Sequence, residues 1–156
     1  MVSFEQMSGQ AARQLLTTAR ALGRAEIAGQ RDQSLRGKNI ALLVHRPGPA
    51  ADLFILAVEQ LGAQASRVGA DMLAADEEHE LQRVARILDR LYDAVECQGV
   101  PTARVRQLSE LATMPVFDGV ACDDHPTARL AEQLDDCSRA DARRWILQAT
   151  LLLTLL

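Results

Sequence analysis

Four side chains that could bind a metal ion or transfer a proton follow strand-like segments of the sequence, namely His45, Cys97, Cys122 and His125. Two imidazoles and two thiolates would suit tetrahedral zinc if the fold brought them together. No two of them have the short spacing of zinc ligands, and an unpaired cysteine is often simply a buried apolar residue. A nucleophilic Cys97 or Cys122 would need a base, and only His125 offers one. We therefore predict neither a metal site nor a cofactor.

The turn after the apolar run Ile40–Val44 lacks the groups that bind an anion. A phosphoryl dianion is held by backbone N–H groups at a helix N-terminus, by hydroxyls and by a bidentate guanidinium. Here the turn reads His45-Arg46-Pro47-Gly48-Pro49 and continues into Ala50-Ala51. The two prolines have no N–H to donate, and Asp52 adds negative charge to the next helical turn. The pattern predicts a turn and a helix start, with Pro49 at the first helical position.

Short apolar runs alternate with amphipathic segments of helical length. Strands are predicted at 40–44, 65–68, 92–97 and 115–120, and helices at 9–28, 49–61, 79–91, 102–113, 124–136 and 138–156. Residues 70–78 read as an acidic loop, and Asp124 or His125 should lie near a helix cap. The alternation predicts an α/β fold: a three-layer open sandwich with a four-stranded, mostly parallel sheet, helices on both faces, and N- and C-terminal helices.

Ligands bind beyond the carboxyl ends of the strands in sheets of this kind. The segments that could form a site are therefore 45–50, 69–78, 97–101 and 120–127.

Composition and length argue against several classes of binding partner and against a membrane location. The chain has 156 residues, a length typical of one domain, and a formal net charge of -4. No basic run or aromatic platform suggests nucleic acid. The apolar tail Trp145–Leu156 is shorter than the about 20 residues that span a bilayer, and no signal peptide is evident. Three cysteines without paired spacing favour a reducing compartment, so we expect a soluble, cytoplasmic protein.

Several segments, taken together, resemble the ornithine/aspartate carbamoyltransferase family. Leu35-Arg36-Gly37-Lys38-Asn39-Ile40-Ala41-Leu42 resembles the opening of that family's first strand, and residues 85–93 resemble a later helix-to-strand junction. Pro115–Gly119 followed by His125-Pro126-Thr127 resembles the fourth strand and the family's His-Pro-Thr-Gln motif. The similarity runs in order from about residue 10 to 136. It implies the N-terminal, carbamoyl-phosphate-binding domain of the family.

The resemblance also locates a degenerate site. The family's Ser-Thr-Arg-Thr-Arg loop corresponds to Pro47–Ala51, and a ligand-contacting arginine corresponds to Gln98. A loop lent by a neighbouring subunit corresponds to 76–79, which is acidic here. His125 is retained as a vestigial catalytic candidate, although capping or loop bonding would also explain it. The crevice that the resemblance implies comprises Arg46, Pro47, Gly48, Ala50, Gln98, His125 and Thr127.

The domain organisation and the function follow as expectations. Residues from about 139 to 156 resemble the helix that returns from the family's second domain, so Trp145–Leu156 should pack in the core. The amino-acid-binding domain is expected to be absent, which leaves 1–156 as one domain. We predict an inactive carbamoyltransferase-like module that forms a homo-oligomer, with a trimer as the first expectation. The alternatives are a domain that binds a neutral or cationic small molecule in a crevice lined by Asp52, residues 76–78 and Gln98, and a transferase completed by a partner chain.

Overall fold

The computed structural model describes residues 1–74 and 77–156 and contains a four-stranded, all-parallel sheet. The strands are β1 (Asn39–Val44), β2 (Gln64–Gly69), β3 (Ala94–Gln98) and β4 (Val116–Asp118), in the spatial order β2-β1-β3-β4. Val44 lies beside Gln98 and Cys97 lies beside Asp118, so β1, β3 and β4 end at one edge. The predicted α/β class is confirmed, with all rather than most strands parallel.

In the described part of the chain, six α-helices complete the layers: α1 (Gly9–Ile27), α2 (Pro49–Gln60), α3 (Glu78–Leu91), α4 (Thr102–Leu111), α5 (Thr127–Ala131) and α6 (Arg139–Leu155). One face of the sheet packs Ile40 and Leu42 against α2 and α6, around the buried Phe54. The other face packs alternate strand residues against α3 and α4. The central strands are apolar runs because both of their faces are covered.

Helix α6 fills the space between α1, α2 and α5. Ser138 caps its N-terminus by accepting a hydrogen bond from Asp141 N–H. Leu147 and Leu151 enter the sheet-facing core, whereas Trp145 and Ile146 pack against α1. The predicted tail is therefore core packing. Among the described residues, no helix has both the length and the hydrophobicity needed to cross a membrane.

Two of the predicted local structures were wrong in detail. The helix expected at 124–136 is only α5, because the chain then turns and Asp136 adopts a left-handed conformation with φ of 61°. Its N-cap residue is Pro126, so His125 lies next to the cap as predicted, and its Nδ1 accepts a hydrogen bond from Thr127 N–H at the first helical position. The loop expected at 70–78 begins with a 3-10 helix, Ala70–Leu73, because Leu73 is anchored in the α3–α4 core.

Candidate functional site

The carboxyl edge of the sheet opens into two hollows. The β1–α2 hollow, about 330 Å³, lies between the first crossover turn and the end of β3, and its lining includes Arg46, Ala50 and Gln98. The β3–β4 hollow, about 480 Å³, is lined by residues from β3 and β4, by Cys122 and His125, and by the first five residues of the chain. The conserved geometry of open α/β sheets predicts a ligand site at this edge.

The turn that lines the β1–α2 hollow is an ordinary helix start. Gly48 is the N-cap without a side-chain hydrogen bond, Pro49 begins the helix, and Asp52 N–H donates to Gly48 O at 3.0 Å. The Asp52 carboxylate pairs with the Arg67 guanidinium of β2 at 3.0 Å. Asp52 is thus held by a cation from β2 and is not part of the lining. The segment Pro47–Ala51 offers an anion three backbone N–H groups, those of Gly48, Ala50 and Ala51, and no hydroxyl.

Gln98 closes the inner side of the same hollow. Its side chain is 5% exposed, and its Nε2 donates to Ala50 O at 3.2 Å and to Glu96 Oε2 at 3.5 Å. The amide N–H groups are therefore occupied by protein acceptors. A bound anion would have to displace these bonds before Gln98 could donate to it.

Glu96 is a buried carboxylate beneath the edge. It is 0% exposed, and its two oxygens accept hydrogen bonds from Val120 N–H and Ala121 N–H, both at 3.1 Å. Burial in the apolar sheet face raises the pKa of Glu96 to about 7, although these N–H donors oppose the shift. The carboxylate fixes the loop that leads from β4 to His125.

Arg143 of α6 holds the same loop from the opposite side. It is 4% exposed, and its Nη2 donates to Ala121 O at 3.1 Å and to Cys122 O at 2.9 Å. Its Nε is buried without a hydrogen-bond partner among the described residues. Glu96 and Arg143 therefore satisfy both the N–H and the carbonyl groups of a loop that has no secondary structure of its own.

His125 and Thr127 form a local pair at the rim of the β3–β4 hollow. Thr127 N–H donates to His125 Nδ1 at 3.2 Å, and the Thr127 hydroxyl lies 2.8 Å from the same nitrogen. Because an amide N–H can only donate, Nδ1 carries the lone pair and the neutral ring carries its proton on Nε2. Burial and the nearby Arg143 charge lower the pKa of His125 to about 4. The Phe4 ring meets the imidazole edge-on at 4.9 Å.

The thiols of the site are poorly suited to nucleophilic chemistry. Burial, followed by the nearby carboxylates, raises the pKa of Cys122 to about 11 and raises the pKa of Cys97 further. A thiol of that kind is protonated at neutral pH and is a weak nucleophile. Cys97, Cys122 and His125 line the same hollow, whereas His45 lies across the edge beside Asp71. In the described part of the chain, no three potential metal ligands are placed to hold an ion.

The crevice residues predicted from the sequence divide between the two hollows. Arg46, Gly48, Ala50 and Gln98 surround the β1–α2 hollow. His125 lines the β3–β4 hollow, and Thr127 is buried behind it. Pro47 lies exposed in the turn and outside both linings.

Within one chain, the described part of the acidic segment lies apart from these linings, while its expected contribution to a neighbouring copy stays a prediction. Glu77 and Glu78 begin α3, and His79 Nε2 lies 3.2 Å from the Glu77 carboxylate. Asp76 lies outside the described residues.

Glu96 and Arg143 were not identified from the sequence. Glu96 carried a usable signal, because a charged residue inside the otherwise apolar run Ala94–Cys97 must be satisfied by specific partners if the strand is buried. Arg143 carried no such signal, since arginines are common on amphipathic helices and its partners lie in a distant loop.

The family model described as "Aspartate/ornithine carbamoyltransferase, carbamoyl-P binding domain" matches residues 1–135. An ornithine carbamoyltransferase of Haemophilus influenzae (strain PittGG) is 34% identical over 128 residues, which are 81% of this chain and 38% of that enzyme. One from Actinobacillus pleuropneumoniae serotype 5b (strain L20) is 36% identical over 121 residues, 77% of this chain and 36% of the enzyme. The chain thus spans well under half the length of these relatives.

Solved structures share the fold. The ornithine carbamoyltransferase from Pyrococcus furiosus has a TM-score of 0.73 at 24% identity, over 85% of this chain and 43% of that one. An aspartate transcarbamoylase from Trypanosoma cruzi, in complex with phosphate, has a TM-score of 0.67 at 22% identity, over 83% of this chain and 41% of that one. At these identities the similarity establishes the architecture of the domain.

Proposed function

Because the chain belongs to the aspartate/ornithine carbamoyltransferase family, as the carbamoyl-phosphate-binding domain over residues 1–135, we propose that it is a non-catalytic member that associates with copies of itself. The domain keeps the architecture that would present carbamoyl phosphate. It lacks the groups that would hold the phosphate. Its function is assembly rather than transfer.

The β1–α2 turn carries this proposal. Residues Pro47–Ala51 provide no hydroxyl and no guanidinium at the start of α2. Gln98 directs its amide N–H groups to Ala50 O and to Glu96. Three backbone N–H groups leave most acceptor positions of a phosphate unpaired, and a desolvated dianion needs charged donors to bind tightly. The donor count opposes tight binding, and the Arg46 guanidinium at the rim is the cation that the lining offers.

Thermal unfolding with carbamoyl phosphate tests the loss of the phosphate site. We expect no rise in Tm at about ten millimolar ligand, because a ligand that does not bind the native state leaves apparent stability unchanged. An ornithine carbamoyltransferase that matches this chain serves as the positive control. A ligand-dependent increase in the Tm of this chain would contradict the proposal.

An exposed apolar strip on α3 is the surface that we propose for self-association. Leu81, Ala85 and Leu88 face the core, whereas Ile87 and Leu91, one turn apart, are 41% and 57% exposed. Residues four apart in a helix lie on one face. Contact between two copies of the chain at this strip would bury the side chains of Ile87 and Leu91.

A second candidate function is transfer of a carbamoyl group with the help of a partner chain. It is favoured by His125, whose neutral ring keeps a proton on Nε2 beside a hollow of about 480 Å³. Thermal unfolding with carbamoyl phosphate, repeated with a partner chain present, separates the two candidates. Stabilisation by carbamoyl phosphate only in a mixture with a partner would favour this candidate.

A further inference from the structure

A third hollow lies at the opposite edge of the sheet, where the strands begin. It has a volume of about 220 Å³ and lies among the ends of α1 and α2, the connector at 29–32 and helix α6. Helix α2 starts next to the carboxyl end of β1 and has 12 residues, so its last residue, Gln60, lies about 18 Å away at the amino edge. This hollow, which we call the α1–α2 hollow, is therefore remote from the Pro47–Ala51 turn.

Two glutamine side chains form an open pair on the wall of the α1–α2 hollow. Gln148 Nε2 donates to Gln60 Oε1 at 3.2 Å and to Ala57 O at 3.3 Å. Gln60 Oε1 also accepts from the Arg144 guanidinium at 2.7 Å. Both amide orientations are fixed, because a guanidinium can only donate and a backbone oxygen can only accept. Gln148 Oε1 and Gln60 Nε2 are therefore the free ends of the pair, without a hydrogen bond inside the described chain.

The free Gln148 oxygen opens into this hollow. Gln148 is 4% exposed and is part of the lining. Within the described chain, the only side-chain nitrogen or oxygen that is fully buried without a partner is Arg143 Nε, so Gln148 Oε1 keeps contact with solvent. A polar atom in so enclosed a place is costly to leave unpaired, which favours any molecule that donates to it.

The Glu26 carboxylate completes the polar lining. Its Oε2 accepts from Arg144 Nη1 at 2.7 Å and from Trp145 Nε1 at 2.8 Å, whereas its Oε1 accepts one bond, from Arg144 Nη2 at 2.9 Å. The Glu26 side chain is 40% exposed, so Oε1 can accept a further bond from the hollow. The lining thus offers two acceptor oxygens and one NH2 donor, beside the apolar side chains of Leu22 and Leu61.

We propose that the α1–α2 hollow binds a neutral polyhydroxy compound, a sugar or a small polyol, through a vicinal diol. One hydroxyl accepts from Gln60 Nε2 and donates to Gln148 Oε1, and its neighbour donates to Glu26 Oε1. The C–H face between them lies against Leu22 and Leu61. A hydroxyl suits the open pair because its single oxygen both donates and accepts. This proposal goes beyond self-association and does not depend on it.

The charges around the α1–α2 hollow favour a neutral ligand. An anion would meet the carboxylates of Glu26 and Asp32 and the negative ends of α1 and α2, against one guanidinium in the lining, that of Arg31. A cation would place its own donors against the Gln60 NH2 group and the Arg31 charge, while Glu26 is already neutralised by Arg144. A ligand with hydroxyls on neighbouring carbons satisfies the donor and both acceptors without bringing in a charge.

Erythritol is the probe, and NMR spectra of the full chain are the readout. We expect saturable shifts of the Gln60 and Gln148 side-chain NH2 signals and of the indole N–H of Trp145, the one tryptophan of the chain. The dissociation constant should be on the order of ten millimolar for so small a ligand. Diethylene glycol, whose hydroxyls are not on neighbouring carbons, should leave these signals unchanged. Absence of saturable shifts with erythritol would overturn the proposal, as would equal shifts with diethylene glycol or with butyramide.

Matched variants separate the acceptor from the fold. Gln148→Met removes Oε1 with little change in size and should weaken erythritol binding by about fivefold, as expected for one neutral hydrogen bond. Thr150→Val is the control, because it also removes a buried polar atom from α6, one whose bond goes to Ile146 O of the same helix. It should bind erythritol like the parent chain. Binding that survives Gln148→Met unchanged, or that is lost equally in both variants, would contradict the assignment.

Intermolecular NOEs locate the ligand without any substitution, and so test the site even if a variant fails to fold. Erythritol protons should show NOEs to the methyl groups of Leu22 and Leu61 in the parent chain. NOEs confined to other parts of the chain would overturn the proposal. None of these results bears on whether carbamoyl phosphate binds at the carboxyl edge.

Discussion

At the scale of single residues, the buried Glu96 and the half-buried His125 change the stability of the protein with pH in opposite directions. The pKa of Glu96 is raised by burial, so the protonated form favours the fold: this stability is present below pH 4.5 and is lost as the pH rises through about 7. The pKa of His125 is lowered to about 4, so its contribution is present above pH 6.5 and is lost as the pH falls through about 4. The two effects oppose each other in mildly acid solution, and above pH 6.5 Glu96 acts alone.

Replacing Glu96 should therefore remove the loss of stability that occurs as the pH rises from 4.5 through about 7. A shift from 4.5 to about 7 corresponds to about 3 kcal/mol across the full titration of a buried carboxyl. Most of this loss falls between pH 4.5 and 7, where the His125 contribution changes in the opposite direction. Urea unfolding of the parent chain should still show a fall of about 1 kcal/mol in the free energy of unfolding between about pH 6.5 and 8, and Glu96→Gln should remove that fall. The absolute stability of the variant will also change, since one backbone N–H then faces an NH2 group.

The exposed Glu110 provides the control for this experiment. Glu110→Gln removes the same charge from the surface and should keep the slope of the parent chain. A slope that persists in Glu96→Gln would show that another group titrates in this range. His125→Phe should keep the fall in stability above pH 6.5. It should reduce the loss of stability that occurs as the pH drops from about 6.5 to 4.

At the scale of elements, the contact between α1 and α6 depends on a missing side chain. A Cβ at Gly23 would lie 2.9 Å from two carbons of the Trp145 ring. That ring is fixed on one side by its Nε1 hydrogen bond to Glu26 at 2.8 Å, and Glu26 in turn receives two bonds from the Arg144 guanidinium. The indole cannot move away without breaking this arrangement.

Gly23→Ala should destabilise the protein even though alanine favours helices. The helical preference contributes about 1 kcal/mol in favour of alanine, whereas overpacking against a fixed ring costs about 1 to 3 kcal/mol. We expect a net loss in the free energy of unfolding, measured by urea titration. Gly9→Ala in the first turn of α1 is the control, because its Cβ would meet only the flexible end of Arg13 at 3.4 Å. A stabilised Gly23→Ala variant would show that the helices separate freely.

Most of the helices and strands could be predicted from the sequence, for physical reasons that differ from one element to another. Ile40–Val44 was recognised because a central parallel strand is buried on both faces and must be apolar throughout. The end of α5 was misjudged because Leu130 and Leu134 keep helical spacing, while the turn at Asp136 is imposed by the need to start α6 at Ser138. Hydrophobic periodicity shows which face of a helix is buried, but it does not show where the backbone turns.

The candidate site was predictable to the extent that topology determines it. Gln98 and Arg46 were expected at one edge because parallel strands end together, and both line the β1–α2 hollow. Whether Gln98 donates or accepts towards a ligand could not be predicted, since that depends on the position of Ala50 O. Glu96 and Arg143 bind the same loop after β4, although they lie on distant segments of the chain. Their spacing in the sequence does not predict this contact.

At the scale of the whole molecule, the proposed assembly depends on apolar surface that the monomer leaves in water. Ile87 and Leu91 lie on the outer face of α3, on the opposite side of the sheet from α2 and α6. An isolated exposed apolar residue needs no explanation, whereas a pair on one helix face is suited to a contact between copies. The resemblance noted in the sequence makes a trimer the first expectation for such an assembly.

Light scattering at several protein concentrations tests this assembly. We expect the parent chain to give a trimer-sized species, and the double variant Ile87→Glu/Leu91→Glu to give a monomer with a similar circular dichroism spectrum. Burying two carboxylates against apolar surface costs several kcal/mol per contact, which is enough to dissociate a small interface. Arg83→Glu, also on the exposed surface of α3, changes the net charge by the same amount and should remain assembled. A parent chain that is monomeric at every concentration would exclude self-association, and dissociation of both variants would assign the effect to charge rather than to the apolar pair.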